Sequence, residues 1–377
     1  METKHPEARA WLNVDLEAVR HNYRCLKQAA GDAVLRPVIK ANAYGLGAEK
    51  IAAVLREEGA ETFCVAEYRE AESLLHTGAK LQMLGHFLDF ELGKAVSNGV
   101  ILGVSDIASA EKINAEAEKQ GVIAECHFKM DTGMGRIGTL AAHAPDVIRY
   151  VKKLPNIDLT GIYSHFPMAY KEDSAQAYSE KQIARFKRVL NVLERNGITF
   201  KNIHFGNSDA FTSYEEIRQT PFNGLRPGLA LYGVTSPAVK AFGLKNAVTL
   251  HSRLAGFKVL PGGSTVGYNC TCKLKKDTLV GIVSLGYADG LPLQLSNNAE
   301  FLFRGRLCPV LGRISMDYTA ISLDGFLTDE IQTGEVVTCI GTDGGNEVTW
   351  EDVAERCGTH VYTLLTSVGP RVVRNYI

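Results

Sequence analysis

Eight short apolar runs, each followed by a segment of helical spacing, constrain the fold of this chain more than any other feature. The runs are rich in β-branched and aromatic residues and lie at 36–43, 62–67, 81–87, 101–106, 125–131, 158–165, 201–207 and 225–233. Helical periodicity is clearest at 16–31, 48–59, 109–121 and 174–197, and in the second of these segments it places Ile51, Ala52, Val54 and Leu55 on one face. This alternation predicts a (β/α)8 TIM barrel, an α/β fold that typically takes about 250 residues. A doubly wound open sheet is the alternative that the same pattern allows.

The pattern changes after Gly233, where short strands of alternating apolar residues replace the strand–helix repeat. Turns containing glycine and aspartate separate these strands, which lie at 249–260, 278–286, 300–311, 318–323 and 335–341. One short helix at 349–358 has a threonine N-cap and ends at a glycine. We therefore predict a barrel with an N-terminal strand and helix over residues 1–242, and a mainly β domain over residues 243–377. The joint between them is expected at residues 235–245.

Charge and hydropathy exclude several classes of function. The formal net charge of the 377 residues is −1, so no overall field attracts the chain to nucleic acid or to an anionic membrane. No apolar run is long enough to span a bilayer, and the first residues lack the apolar stretch of a signal peptide. The sequence thus predicts a cytoplasmic protein that acts on a small molecule.

The eight cysteines do not indicate a metal site. They are scattered along the chain, and none forms a CxxC pair. Thiols in this arrangement are typical of reduced, intracellular cysteines. We therefore expect neither structural disulfides nor a bound metal.

Residues that can do chemistry fall where the predicted barrel strands end. Active sites of TIM barrels lie at the C-terminal ends of the strands. The candidates at that rim are Lys40, Arg136, His165, Asn207, Ser208, Arg226 and Gly228. Lys40 has apolar neighbours, and burial there would lower its pKa and make it a nucleophile suited to Schiff-base chemistry. Ser208 and Gly228 lie in the loops after strands seven and eight, where barrels commonly bind phosphate.

Each candidate also has a structural explanation when it is taken alone. A lysine at a strand end is usually a solvated surface residue. His165 can be a packed rim histidine, Arg226 can pair with any carboxylate, and the turn at 131–138 can owe its glycines to backbone geometry. The functional interpretation depends on the predicted convergence of these residues on one rim.

Six motifs, three of which carry Lys40, Arg136, Arg226 and Gly228, resemble the bacterial alanine racemase family, in the family's order and over nearly the whole chain. They are VIKANAYGLG at 38–47, KMDTGMGRIG at 129–138, LRPGLALYG at 225–233, SLGYADGLP at 284–292, GRISMDY at 312–318 and PRV at 370–372. The resemblance implies a fold-type III enzyme in which a (β/α)8 barrel binds pyridoxal 5'-phosphate and a β domain follows. It also implies a head-to-tail homodimer with shared active sites.

The resemblance assigns the main catalytic roles. It implies that Lys40 holds the cofactor covalently and acts as one acid/base, with Tyr268 of the other subunit as the opposite base. His165 corresponds to a histidine that contacts this tyrosine. Arg226 corresponds to the partner of the cofactor's pyridine nitrogen. Arg136 corresponds to an arginine near the cofactor's phenolic oxygen and the substrate carboxylate.

The remaining roles are also implied only by the resemblance. Lys129 corresponds to a lysine that is carbamylated in some members. Residues expected to contact the cofactor, mainly its phosphate, are Tyr44, Asn207, Ser208, Gly228 and Tyr362. The backbone of Met316 is expected to reach the substrate carboxylate across the dimer, and Tyr287 and Asp317 are expected to line the access route.

Departures from the family's pattern leave the exact substrate open. Ser315 and Tyr318 stand where the family commonly has Cys and Gln. Alanine is the expected substrate because Tyr362 keeps the pocket small, and serine is the alternative. A decarboxylase of the same fold is disfavoured by Arg226, and a binding protein without turnover is disfavoured by the β domain. The family's usual role is the supply of D-alanine for peptidoglycan.

Overall fold

The computed structural model describes residues 7–169, 173–234 and 242–377. Its chain divides into two compact units. The barrel unit contains residues 19–43 and 47–245, and the β unit contains residues 1–18, 44–46 and 246–377. No helix among the described residues has both the length and the apolarity that crossing a membrane requires.

Eight parallel strands close into a ring in the barrel unit. In chain order the first strands are β1 (Ala10–Val14), β2 (Val34–Leu35), β3 (Thr62–Val65), β4 (Lys80–Met83), β5 (Leu102–Val104), β6 (Ala124–Asp131), β7 (Thr139–Leu140), β8 (Ile157–Tyr163), β9 (Asn202–Gly206) and β10 (Gly224–Leu225). The eight barrel strands are β2–β6 and β8–β10. Six of them form the sheet β2-β10-β9-β8-β6-β5, and β3 pairs with β4. Isolated parallel bridges from Val38 to Cys64 and from Gln82 to Ile101 join these pieces. The predicted (β/α)8 barrel is therefore confirmed, and the open sheet is excluded.

Helices alternate with the barrel strands, and the four predicted at 16–31, 48–59, 109–121 and 174–197 are all present within a few residues of those bounds. The helices are α1 (Leu16–Ala30), α2 (Ala48–Glu57), α3 (Tyr68–Leu74), α4 (Asp89–Ser97), α5 (Ile107–Gln120), α6 (Ala144–Val151), α7 (Asp173–Arg195) and α8 (Ser208–Ser213). On α2 the predicted apolar face is buried, with Ile51, Ala52 and Leu55 fully enclosed. At α5, the Asp106 side chain accepts a hydrogen bond from the N–H of Ser109, and Gly121 ends the helix in a left-handed conformation.

The β unit contains a second closed ring, of six antiparallel strands. Its strands are β11 (Val248–Leu260), β12 (Thr265–Val266), β13 (Cys272–Lys273), β14 (Thr278–Val283), β15 (Glu300–Phe303), β16 (Arg306–Leu311), β17 (Thr319–Ser322), β18 (Val336–Asp343), β19 (Asn346–Val348) and β20 (Val373–Tyr376). The pairing order β18-β15-β16-β17-β14-β11 is closed by pairing of β18 with β11. Two helices, α9 (Trp350–Arg356) and α10 (Val361–Ser367), precede the last strand.

The N-terminal strand differs from the expectation that it belongs to the barrel domain. β1 pairs antiparallel with β11 and parallel with β20, so it is part of the β sheet. Its five residues are all buried, so that both faces of this strand are covered as well as both edges paired. The division at residues 242 and 243 stays a prediction, and residues 235–241 of the predicted joint lie outside the described residues.

Most predicted barrel strands are shorter in the structure, above all the first and the eighth, and one predicted strand of the β domain is a hairpin. The first barrel strand ends before Lys40, and the eighth ends at Leu225, after which residues 229–232 form a 3-10 helix. Segment 300–311 folds back on itself at Arg304 and Gly305, whose φ angles of 48° and 76° are typical of a tight hairpin turn.

Candidate active site

The backbone after Lys40 forms a left-handed turn. Residues 41–44 have φ angles of 51°, 53°, 54° and 57°, although none is glycine. Such a conformation is unfavourable for L-residues and persists only where surrounding bonds hold it. Here the N–H of Ala41 donates to Glu70 Oε1 at 2.6 Å, and Asn42 Oδ1 accepts from the N–H of Ala48 at 2.8 Å. Lys40 therefore follows the first strand and does not lie within it.

Five of the predicted barrel residues line one cavity of about 200 Å³. They are Lys40, Lys129, Arg136, His165 and Arg226, and the remaining walls come from Ala66, Leu84, Gly85, Ile137 and Tyr163. Four of the ten lining side chains are basic and none is a carboxylate. A small cavity lined by basic groups favours an anionic ligand.

The two lysines of this cavity have lowered pKa values. Burial is the main cause of the lowered pKa of Lys40, and the neighbouring charge of Arg136 adds to it. Burial and Arg136 also lower the pKa of Lys129 to about 8, while its Nζ donates to the carbonyl of Leu84 at 2.8 Å. A lysine with a lowered pKa is neutral more often and is therefore a better nucleophile.

Arg226 is fixed in the wall of the cavity by four hydrogen bonds. Its side chain follows β10 and is only 3% exposed. NH1 donates to Nδ1 and to the carbonyl of His204, and NH2 donates to the carbonyls of Ser164 and Phe205, at 2.6–3.2 Å. Its Nε–H has no acceptor among the described residues. Burial lowers the pKa of Arg226 to about 10, which leaves it protonated near neutral pH.

A buried chain of neutral histidines supports Arg226. Because an arginine only donates, His204 Nδ1 accepts, and its Nε2–H donates to His127 Nδ1 at 2.8 Å. The amide of Gln82 also donates to His127 Nδ1, at 3.0 Å. Burial, together with nearby arginines, lowers the pKa of both histidines well below the usual value. These two histidines therefore fix the orientation of Arg226 without adding a negative charge.

His165 is neutral as well. Burial, with Arg226 and Arg136 as further causes, lowers its pKa to about 3. It stands two residues after Tyr163, so that both side chains face the cavity from one strand end.

The predicted phosphate ligands form two groups. In the barrel unit, Ser208 Oγ accepts from the N–H groups of Gly228 and Ala230, at 2.9 and 3.3 Å. Asn207 caps α8 by accepting from the N–H of Ala210 at 2.9 Å. In the β unit, the rings of Tyr44 and Tyr362 lie 5.6 Å apart.

The predicted substrate residues of the β unit are exposed. Tyr268 is 67% exposed and Met316 is 51% exposed. Tyr268 lines a second cavity, of about 410 Å³, with Arg313 and Tyr318 among its neighbours. The loop of Tyr287 is bonded to the loop of Met316, because the N–H of Ala288 donates to the carbonyl of Met316 at 3.0 Å.

Sequence reasoning missed three residues that shape the barrel cavity and its support. Tyr163 lines the cavity, and its spacing of two from His165 was a usable signal. Glu70 and His204 gave no such signal, because their partners are distant in sequence. Within the described ranges, no cluster of three or more His, Cys, Asp or Glu is placed to hold a metal ion.

Comparison with known proteins covers nearly the whole chain. Residues 14–236 match the family described as "Alanine racemase, N-terminal domain", and residues 247–376 match "Alanine racemase, C-terminal domain". The alanine racemase of Desulforamulus reducens is 36% identical over 374 residues, which cover 97% of this chain and 98% of the relative.

Solved structures are similar over the same length. The alanine racemase from Streptomyces coelicolor A3(2) is 30% identical, with a TM-score of 0.90 over 99% of each chain. The alanine racemase from Bartonella henselae, solved with covalently bound pyridoxal phosphate, is 29% identical, with a TM-score of 0.86 over 98% of this chain and 100% of that one.

Proposed function

The chain belongs to the alanine racemase family, and on that premise we propose that it interconverts L- and D-alanine with pyridoxal phosphate as cofactor. The observation that carries this proposal is the barrel cavity. A lysine of lowered pKa stands there beside three other basic residues, with no carboxylate in the lining.

The donor set of the barrel unit fits the cofactor. The Lys40 amine suits its aldehyde, and the cations of the cavity suit its negative charges. Ser208 and the neighbouring N–H groups of Gly228 and Ala230 are ligands of the type that bind phosphate. Tyr44, Asn207 and Tyr362 are proposed to complete the contacts. When bound, pyridoxal phosphate withdraws electrons from the α-carbon of an attached amino acid and so makes its α-proton removable.

Arg226 is proposed to donate its free Nε–H to the pyridine nitrogen. A protonated arginine does not give up its proton, so it leaves that nitrogen without one. An aspartate partner would instead stabilise a protonated ring and a stronger electron sink. The choice of arginine therefore favours return of the proton over side reactions.

Two bases on opposite faces are needed to invert the α-carbon. Lys40 removes or returns the proton on one face, and Tyr268 is proposed to do so on the other. His165, neutral near pH 7, is proposed to contact Tyr268. Arg136 and the backbone of Met316 are proposed to bind the substrate carboxylate, with Tyr287 and Asp317 lining its route.

We propose a head-to-tail homodimer in which Tyr268 and Met316 serve the barrel of the second copy. Their exposure of 67% and 51% supports this, because catalytic groups of an enzyme rarely remain open to solvent. Lys129 is a candidate for carbamylation, since a lysine with a pKa of about 8 is partly neutral near neutral pH. The cytoplasm and the supply of D-alanine for peptidoglycan are the proposed setting.

Incubation with a panel of D- and L-amino acids in deuterated water tests the reaction. We expect α-deuterium in both enantiomers of alanine and faster exchange with alanine than with serine. Release of carbon dioxide without inversion would replace the racemase with a decarboxylase.

The Lys40→Ala variant tests the cofactor site. We expect it to lose the cofactor on dialysis, as read from visible absorbance, and to lose racemisation. Lys50→Ala, at an exposed lysine of α2, is the matched control and should keep both. Retention of covalent cofactor by Lys40→Ala would contradict the assignment.

A further inference from the structure

Three motifs that are distant in sequence meet at Arg371 in the β unit. Its Nε donates to Asp289 Oδ1 at 2.9 Å, and its NH2 lies 2.8 Å from the same oxygen. Its NH1 donates to Asp317 Oδ1 at 2.8 Å. One guanidinium thus connects the terminal motif at 370–372 with the loops at 284–292 and 312–318.

The ion pair with Asp289 is built into the loop of Tyr287. Asp289 is 5% exposed, and its Oδ2 accepts from the N–H of Gly286 at 2.9 Å. The N–H of Gly369 donates to the carbonyl of Asp289 at 3.0 Å. Without Arg371, the buried carboxylate of Asp289 would keep only the hydrogen bond from the N–H of Gly286. A buried charge without its ionic partner destabilises the fold.

The loop of Met316 is fixed against the same structure. The N–H groups of Tyr287 and Ala288 donate to the carbonyls of Ser315 and Met316, at 3.1 and 3.0 Å. The approach is so close that a Cβ at Gly286 would lie 2.4 Å from the Met316 carbonyl oxygen. The carbonyl of Met316 is therefore bonded, whereas its N–H has no acceptor among the described residues.

We propose that Arg371 is a positioning residue that sets the backbone N–H of Met316 for the substrate carboxylate in the active site of the second copy. This proposal rests on the proposed function. Arg371 donates a hydrogen bond to Asp317, the residue next to Met316, and is itself held by the ion pair with the buried Asp289. A planar guanidinium can hold both carboxylates at once, whereas the single ammonium of lysine is a poor substitute.

Steady-state kinetics of Arg371→Ala separate positioning from a general loss of structure. We expect KM for both alanine enantiomers to rise roughly tenfold, as for loss of a hydrogen bond to a charged group, while kcat falls less than about threefold. The inhibition constant of propionate, a carboxylate without an amino group, should rise by the same factor. Cofactor absorbance should be unchanged, and Arg371→Lys should recover part of the loss.

Arg304→Ala is the matched control. Arg304 makes an exposed ion pair with Glu335 in the same unit, at 2.8 Å. We expect it to leave KM and propionate binding as in the parent. An unchanged KM in Arg371→Ala, or a fall in kcat alone, would overturn the positioning role.

Two co-purified heterodimers of equal composition test whether Arg371 acts on the second copy. One carries Lys40→Ala and Arg371→Ala on opposite chains, and the other carries both on the same chain. In a head-to-tail dimer, the first arrangement leaves one fully native site and should show the parent KM, whereas the second should show the raised KM. The reverse result would overturn action on the second copy.

Failure of the proposed function would look different. It would show as no racemisation by the parent protein, or as activity of Lys40→Ala alone. A raised KM that is the same in both heterodimers would instead leave the racemase assignment intact and reject the proposed geometry of Arg371.

Discussion

At Lys40, burial and charge act on the amine in the same direction. Burial is the largest cause of its lowered pKa, and Arg136 and Arg226 add repulsion, while Glu70 and, to a smaller extent, Cys64 oppose them. Glu70 is engaged by the N–H groups of Ala41 and Ala66, at 2.6 and 2.7 Å. Its carboxylate therefore holds the backbone beside Lys40. It does not form an ion pair with Lys40, which would keep the amine protonated and unreactive.

Tyr268→Phe should separate the two faces of the reaction. Loss of the hydroxyl should slow racemisation in both directions, on the order of 10² to 10⁴-fold, because both directions need the same pair of bases. Exchange of the α-proton with deuterated water should survive for the enantiomer whose proton faces Lys40 and disappear for the other. Proton NMR of each enantiomer measures both rates.

Tyr318→Phe is the control for this substitution. Tyr318 lines the same cavity as Tyr268 and is also exposed, at 44%. Loss of the Tyr318 hydroxyl should leave the rate of α-proton exchange unchanged for both enantiomers. Equal and mild effects of Tyr268→Phe on both enantiomers would contradict the two-base scheme.

The left-handed turn at residues 41–44 is the element on which the position of Lys40 depends. Asparagine tolerates this conformation better than most residues, and Asn42 also bonds the first turn of α2 through its side chain. Two effects, backbone tolerance and a hydrogen bond, thus stabilise the turn at one residue.

Asn42→Ala should therefore destabilise the fold by about 1–2 kcal/mol and weaken cofactor binding. Urea unfolding and cofactor titration of the apoprotein measure the two effects. Asn42→Gly keeps the backbone freedom without the side-chain bond, and Asn42→Asp keeps the bond, so both should be milder than alanine. Three equal losses would mean that the turn is held by other contacts.

Periodicity predicted the elements well where one face of a strand or helix is buried. The four apolar residues predicted to share one face of α2 are all buried. The same signal failed at the left-handed turn, since VIKANAYG has the composition of a strand and a turn but no glycine before Gly45. It also failed for the hairpin at 300–311, because an Arg-Gly pair is a weaker turn signal than Asn-Gly.

The candidate site was predictable only in part. Lys40, Arg136, His165 and Arg226 follow barrel strands, and the rule for TIM barrels places such residues at one end. The supports of Arg226 are His204, Phe205 and Ser164, which lie 21 or more residues away in sequence. Pairings of this kind depend on strand register, which a single sequence does not specify for buried strands.

At the scale of the whole molecule, neutral buried histidines couple stability to pH. His127 and His204 in the barrel unit and His251 in the β unit are at most 1% exposed. Burial lowers the pKa of the first two well below the usual value and that of His251 to about 4. Above about pH 6.5 neither the folded nor the unfolded chain protonates them, so they leave stability unchanged there.

Below about pH 6.5 the unfolded chain binds protons that the folded chain does not, so the free energy of unfolding should fall as the pH falls towards 4. Between pH 7.5 and 5.5 we expect a loss of about 1.4 kcal/mol per histidine, and His165, whose pKa is lowered to about 3, adds a fourth such loss, so that the total is about 5–6 kcal/mol. Urea unfolding measures it, with tryptophan fluorescence reporting the β unit, which holds both Trp11 and Trp350. His251→Gln should remove about one quarter of the loss, since its replacement cannot take up a proton in either state. A free energy of unfolding that is constant over this range would show that unfolding takes up no protons, and the buried rings would then have to be protonated in the fold as readily as in the unfolded chain.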